Sequence, residues 1–86
     1  MNRAILVKSD NWEGLYINGK LVEEGHQLNQ GKERAIYFAR LARKWRFNLE
    51  NMGVIYLNNH DTTWTEDIGY FPEDIMKFDT IKEYKL

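Results

Sequence analysis

Cysteine is absent from this sequence of 86 residues, and proline occurs once. The lack of cysteine excludes disulfide frameworks, thiolate metal sites and thiol nucleophiles. No uninterrupted apolar run exceeds five residues, whereas a membrane-spanning helix requires about 20, and the N-terminus lacks the basic and apolar segments of a secretory signal. We therefore expect a cytoplasmic protein with no membrane association.

Recognisable catalytic motifs are also missing. Ser9 is the only serine and lacks the glycine flanks of a nucleophile elbow, and the glycines do not have the spacing of a phosphate-binding loop. His26 and His60 stand without the H-x-x-x-H spacing of a zinc site, so we expect loop or helix-capping roles for them. The sequence thus predicts neither an enzyme nor a cofactor. A small-ligand pocket near either histidine, for example for a nucleotide, is an alternative.

The chain does have enough apolar residues for one globular domain over residues 1–86, because 43% of it is hydrophobic and 14% aromatic. Residues 4–7, Ala-Ile-Leu-Val, predict a central strand that is buried on both faces. Asn18-Gly19 separates two β-prone stretches and predicts a hairpin with a type I′ turn, since both central residues of this turn need a positive φ. A second apolar run at residues 54–57 predicts another interior strand.

Helical periodicity over residues 29–47 predicts an amphipathic helix packed on the sheet, with Asn29 as its N-cap. The residues that we expect to face the sheet are Ala35, Phe38, Ala39, Leu41, Ala42 and Trp45. A short second helix follows, which is capped by Asp61 or Thr62 and ended by Gly69.

The segment after residue 72 fits a helix, a packed tail or an edge strand equally well. With the other elements it gives an α+β fold in the order β-β-β-α-β-α. This fold is a small single-layer sheet, formed by the N-terminal strand, the hairpin and the later strand, packed by one amphipathic helix and accompanied by a short second helix.

Charge is unevenly distributed along the chain. The net charges of residues 1–31, 32–46 and 47–86 are −1, +5 and −5, although the whole chain has a net charge of only −1. The outer side of the basic helix offers a candidate surface for a protein partner or for nucleic acid phosphates. Its residues are Lys32, Tyr37, Arg40, Arg43 and Lys44. The alternative is a solvated face or one that the acidic second half compensates.

Trp12 and Trp64 are candidates for an aromatic contact patch at one end of the sheet. A domain of this size has difficulty burying three tryptophans and five tyrosines completely. We therefore expect at least one exposed aromatic side chain that could contact a partner. An open sheet edge would also make a homodimer possible.

Two segments carry a resemblance to known proteins. Residues 10–26, DNWEGLYINGKLVEEGH, and residues 64–73, WTEDIGYFPE, resemble small uncharacterised proteins of bacteriophages and prophages. The likeness covers about half the chain and does not include the basic helix. It implies a phage-type origin, not an activity. Small accessory proteins of phages often act by binding a host protein, and the sequence holds no catalytic constellation. We therefore expect a non-enzymatic accessory protein that binds and modulates a host protein, such as a defence or replication factor.

Overall fold

Alternating apolar residues build a four-stranded sheet at the centre of the molecule. The computed structural model describes residues 1–26 and 33–84, without the side chains of residues 83 and 84. Across the sheet the strand order is β3-β2-β1-β4. The strands are β1 (Ala4–Lys8), β2 (Glu13–Ile17), β3 (Lys20–Gly25) and β4 (Gly53–Tyr56). The β1–β2 and β2–β3 pairs are antiparallel, and β4 runs parallel to β1.

Three helices accompany the sheet in the described parts of the chain. They are α1 (Arg34–Trp45), α2 (Asn59–Ile68) and α3 (Asp79–Tyr84), with short 3-10 turns at Leu49–Asn51 and Ile75–Lys77. The mixed four-stranded sheet and its helices form a small α+β fold, as the sequence predicted.

The hairpin follows from the stereochemistry of its turn. Asn18 and Gly19 have φ values of 51° and 85°, which are the positive values that a type I′ turn requires. β2 ends directly before this dipeptide and β3 begins directly after it. The predicted hairpin is confirmed.

Strand alternation divides the core into two clusters on opposite faces of the sheet. The α1-side cluster consists of Ala4, Leu6, Leu15, Ile17, Phe38, Leu41 and Phe47. The opposite cluster consists of Ile5, Val7, Tyr16, Ile55, Phe71, Ile75, Phe78 and Ile81. Helix α1 therefore covers one face. The C-terminal layer, which comprises α2, the second 3-10 turn and α3, covers the other.

The predicted positions of the two apolar strands had different outcomes. β1 lies between β2 and β4, and its first four residues are buried, as expected. The prediction that the later strand is interior was wrong, because β4 is an edge strand. Only Ile55 is buried in β4, whereas Val54 and Tyr56 lie on the α1 side and are exposed. Their apolar character reflects one buried face, not two.

Helix α1 is shorter than the sequence indicated. It ends where Arg46 adopts a left-handed conformation with φ of 53° and its N–H bonds to the Ala42 carbonyl. The proposed cap Asn29 lies outside the described residues. Ala35 and Ala39 were expected to face the sheet but are exposed, whereas Tyr37 is half-buried against the α1-side cluster.

The N-cap expected for the second helix was wrong by about one turn. Asn58 caps α2, because its side-chain oxygen accepts a hydrogen bond from the Asp61 N–H at 2.8 Å. The end of the helix at Gly69 is confirmed, since this residue has φ of 82° and follows Ile68 directly.

The segment after Pro72 is a packed tail with short helical turns. The Tyr16 hydroxyl donates to the Pro72 carbonyl at 2.6 Å, and the Leu21 N–H donates to the Glu73 carbonyl at 2.9 Å. Three apolar residues then enter the opposite cluster, namely Ile75, Phe78 and Ile81. Of the alternatives left open by the sequence, the packed tail fits the structure, and it also covers the edge at the start of β3.

Candidate functional site

The outer side of α1 presents two arginines to solvent. Arg40 and Arg43 are both exposed, and among the side chains that the structure describes neither forms an ion pair. Ile36 lies four residues before Arg40 on the same helix surface and is 56% exposed. Together these three residues form a mixed basic and apolar strip, which we call the α1 strip.

The other residues predicted for this surface have different environments. The Lys44 ammonium lies 3.7 Å from a Glu23 carboxylate oxygen and 5.2 Å from the centre of the Trp45 ring. Tyr37 is half-buried, and burial, with a smaller contribution from the Glu23 charge, raises the pKa of its phenol. Lys32 lies outside the described residues. The structure therefore brings only part of the predicted set onto one exposed surface.

The sheet separates the α1 strip from the acidic residues of the C-terminal layer. Glu66, Asp67, Glu73 and Asp79 belong to the C-terminal layer or to the loop within it, which packs on the face opposite α1. The carboxylates that do neutralise α1 come from the hairpin, because Glu13 pairs with Arg34 and Glu23 pairs with Lys44. Compensation by the second half, which was one alternative, is not observed in the described residues.

A buried carboxylate connects the start of α1 to the sheet. Glu13 is only 1% exposed, and both of its carboxylate oxygens accept hydrogen bonds from Arg34 Nη2, at 2.9 and 3.0 Å. The Lys8 ammonium lies 3.4 Å from the same carboxylate. A buried charge must be paired to be tolerated, so this group has a structural explanation. The burial of Glu13 could have been predicted from the sequence, because residues 13, 15 and 17 of a strand share one face and Leu15 and Ile17 are apolar.

The two candidate tryptophans contact the same cluster but have different partners. Trp12 Nε1 donates to a Glu24 carboxylate oxygen at 3.0 Å, and its ring meets the His26 ring edge-on with centroids 4.9 Å apart. Trp64 is half-buried and packs edge-on against Phe78, with centroids 6.1 Å apart. Among the described residues no ring contact joins the two tryptophans directly, and both pack against the opposite cluster.

A shallow cleft lies beside Trp12 at the C-terminal end of α2. Its volume is about 100 Å³, and its lining residues include Ser9, Asn11, Trp12, Tyr70 and Phe71. His26 contacts the Trp12 ring outside this lining, and His26 Nδ1 lies 3.1 Å from the Asn11 carbonyl. The cleft is smaller than typical small-molecule sites of about 300–1,000 Å³. This cleft alone is therefore smaller than a nucleotide site requires.

The other histidine lies in a group of potential metal ligands. Ligand atoms of His60, Asp61 and Asp79 lie within 4.8 Å of one another. However, Asp61 is 1% exposed and already accepts hydrogen bonds from the Asp79 N–H at 3.2 Å, from the Thr80 N–H at 2.7 Å and from the Thr80 hydroxyl. The carboxylate thereby caps the N-terminus of α3.

The protonation of Asp61 is consistent with this capping role. Burial alone would raise the pKa of its carboxyl group. The hydrogen bonds from Thr80 and Asp79 together have a larger, opposite effect, so the pKa lies below the ordinary value of 3.8. Sequence analysis missed this residue as a cap for α3 because the helix that it caps begins 18 residues later in the chain. His60 lies 3.6 Å from Asp61 and 3.4 Å from Asp79 at the surface of this cap.

Comparisons with known proteins do not assign this chain to a family. Searches of protein-family models, of curated proteins and of solved structures found no match. Within the described residues, each helix is too short or too polar to cross a bilayer.

Proposed function

We propose that this protein is a non-enzymatic binding protein that docks on an acidic surface of another protein through the α1 strip. The observation that carries this proposal is the exposure of Arg40 and Arg43 on α1 without a carboxylate partner among the described side chains. Exposed charges of one sign attract and orient a partner of opposite charge. The protein would act in the cytoplasm.

The composition of the α1 strip favours a protein over a nucleic acid. Arginine with an apolar neighbour is typical of protein interfaces, where the guanidinium group binds carboxylates with two hydrogen bonds and the apolar side chain is buried. Ile36 is the apolar neighbour here, at 56% exposure. A nucleic acid surface usually requires a broader set of phosphate contacts, and Lys44 is already paired with Glu23.

The resemblance to phage and prophage proteins supports a host protein as the partner. Accessory proteins of this kind often act by binding a host factor, and the resemblance covers the hairpin that supplies Glu13 and Glu23. In this proposal the hairpin anchors and partly neutralises α1, and the partner contacts Arg40 and Arg43, which form no ion pair with the side chains that the structure describes.

A double charge reversal tests the proposal. The wild-type chain, the R40E/R43E variant and a matched K20E/K77E control are each used to capture proteins from a host lysate, and every captured protein is then purified. Its affinity for the three chains is measured by calorimetry at several salt concentrations. We expect a saturable partner whose affinity falls at least tenfold with R40E/R43E, because attraction becomes repulsion, but stays within twofold with K20E/K77E.

Two results would contradict the proposal. One is the absence of any purified partner that binds the wild-type chain saturably. The other is a partner that binds R40E/R43E as tightly as it binds the wild-type chain. Labelled 20-mer DNA and RNA are measured in parallel, and tight, steeply salt-dependent binding to either would favour the nucleic acid alternative instead.

A further inference from the structure

The sheet has one covered edge and one open edge. At the β3 edge, Leu21 donates its N–H to the Glu73 carbonyl at 2.9 Å, and Lys20 forms an isolated bridge with Asp74. At the other edge β4 pairs with β1, and none of the residues that the structure describes pairs with its outer side. An open edge offers unpaired backbone groups to any other strand.

The register shows which backbone groups are open. β4 is parallel to β1, with Val54 beside Leu6 and Tyr56 beside Lys8, and the Leu57 N–H donates to the Lys8 carbonyl. Since successive residues of a strand alternate their hydrogen-bonding direction, the N–H and carbonyl groups of Val54 and Tyr56 point away from β1. Their side chains are 45% and 65% exposed on the α1 side of the sheet.

The usual protection of an exposed edge is missing from this strand. Proteins commonly block such edges with lysine, proline, inward-pointing charges or bulges. Residues 51–60 contain no Lys, Arg, Asp, Glu or Pro, although 29% of the chain is charged, and this is the longest stretch of the sequence without those four charged residue types. The open edge therefore lies where the sequence places the fewest obstacles to pairing.

We propose that two copies of this chain associate by antiparallel pairing of their β4 edges, with a two-fold axis beside Ile55. In this register, Val54 of one protomer lies opposite Tyr56 of the partner subunit, and the reverse pair is identical. The outward N–H and carbonyl groups of both residues can then form four hydrogen bonds. The two cross-strand pairs are β-branched with aromatic, a favourable combination.

The charge of β4 is compatible with a second copy of the chain as its partner, and the exposed apolar area at this edge indicates how strong the contact is. Because β4 contains no Lys, Arg, Asp or Glu, a second copy brings no like charges opposite each other in the paired strands. The exposed parts of Leu49, Val54 and Tyr56 amount to roughly 250 Å² per protomer, which is well below half of the about 1,200 Å² buried by stable complexes. The dimer is therefore a weak one, populated at high micromolar concentrations.

Self-association is measured by sedimentation equilibrium between about 10 µM and 1 mM, on the wild-type chain, on V54K and on M76K. Met76 is 52% exposed in the C-terminal layer and provides a control with the same added charge. Hydrogen exchange of individual amides is followed by NMR at both ends of the concentration range. We expect a monomer–dimer equilibrium whose dissociation constant rises at least tenfold with V54K and less than twofold with M76K. The amides of Val54 and Tyr56 should exchange more slowly at high concentration, because the partner strand binds them.

Three results would overturn this inference. They are a monomer throughout the concentration range, a dimer that V54K leaves intact while the variant keeps the wild-type fold by circular dichroism, and a dimer in which the Val54 and Tyr56 amides gain no protection. The exchange measurement uses the unmodified chain, so it decides the question even if V54K fails to fold.

Discussion

Replacing Asp61 with asparagine should destabilise the protein in a pH-dependent way. The Asp61 carboxylate is 1% exposed and accepts three hydrogen bonds from Asp79 and Thr80 at the start of α3. Asparagine keeps the shape and one acceptor oxygen but presents an NH₂ group where the carboxylate accepted hydrogen bonds. At least one donor of the α3 cap thereby loses its acceptor.

The magnitude follows from the bonds that are lost. Hydrogen bonds to a charged group contribute about 1.5–3 kcal/mol each, and a buried donor left without an acceptor costs a similar amount. We therefore expect Asp61→Asn to lower the free energy of unfolding by about 2–3 kcal/mol at pH 7. An 86-residue domain has about 4–13 kcal/mol of total stability, so the variant should still fold and its loss should be easy to measure.

The pH dependence gives this prediction a second, independent readout. The hydrogen bonds hold the pKa of Asp61 below its ordinary value of 3.8 in the folded protein. A carboxyl group with a lowered folded pKa stabilises the protein fully above its unfolded pKa, and this contribution is lost as the pH falls through the folded pKa. The stability difference between wild type and Asp61→Asn should therefore be constant from pH 7 to about pH 5 and shrink below about pH 4.

Urea denaturation followed by tryptophan fluorescence, at pH values from 7 to 2.5, measures these quantities. Asp67→Asn is the matched control, because Asp67 is an exposed carboxylate of the same helix and its replacement should change stability by less than about 0.5 kcal/mol. Equal stability of Asp61→Asn and wild type at pH 7 would refute the capping role. A stability difference that does not shrink below pH 4 would refute the argument from ionisation.

Two further changes test the packing between the hairpin and its neighbours. Arg34→Met should lower the free energy of unfolding by about 1.5–3 kcal/mol, because it removes both hydrogen bonds from Arg34 to buried Glu13 and leaves only the Lys8 ammonium, at 3.4 Å, beside that carboxylate. Glu13→Gln in the same chain should recover part of that loss, and no recovery in the double variant would show that the charge is not the cause. Gly14→Ala should cost about 1–3 kcal/mol, because the new Cβ would lie 2.5 Å from a ring carbon of buried Phe71, and thermal unfolding that matches wild type would contradict this.

Local stereochemistry explains which elements the sequence could predict. Asn18-Gly19 determines its own turn, because few other residues adopt a positive φ at two adjacent positions. The end of α2 at Gly69 is readable for a similar local reason. The end of α1 was harder to predict from the sequence. Arg46 adopts a left-handed conformation although it is neither glycine nor asparagine, and the spacing of apolar residues does not indicate such a residue.

Features that depend on distant contacts could not be predicted in the same way. Apolar residues 54–57 do not reveal how many strands flank them, so an edge strand was taken for an interior one. The partner of Lys44 is Glu23 in β3, although the sequence offered a whole acidic half as an equally reasonable partner. Lys44 pairs with the hairpin because α1 and the C-terminal layer lie on opposite faces of the sheet. This arrangement depends on the topology of the whole chain, so no single segment of the sequence predicts it.

The topology also relates the two proposed surfaces to each other. Antiparallel pairing of two identical edges places the two-fold axis perpendicular to the sheet, so both α1 helices lie on the same face of the eight-stranded sheet. Arg40 and Arg43 of the two copies then repel one another weakly, and salt screens this repulsion over about 8 Å at physiological ionic strength. Added salt should therefore leave self-association unchanged or strengthen it slightly, while it weakens the binding of an acidic partner to the α1 strip. Sedimentation and calorimetry over the same salt series separate the two interactions by the sign of this effect, and a dimer that dissociates as salt is added would indicate a contact between opposite charges in place of the β4 edge.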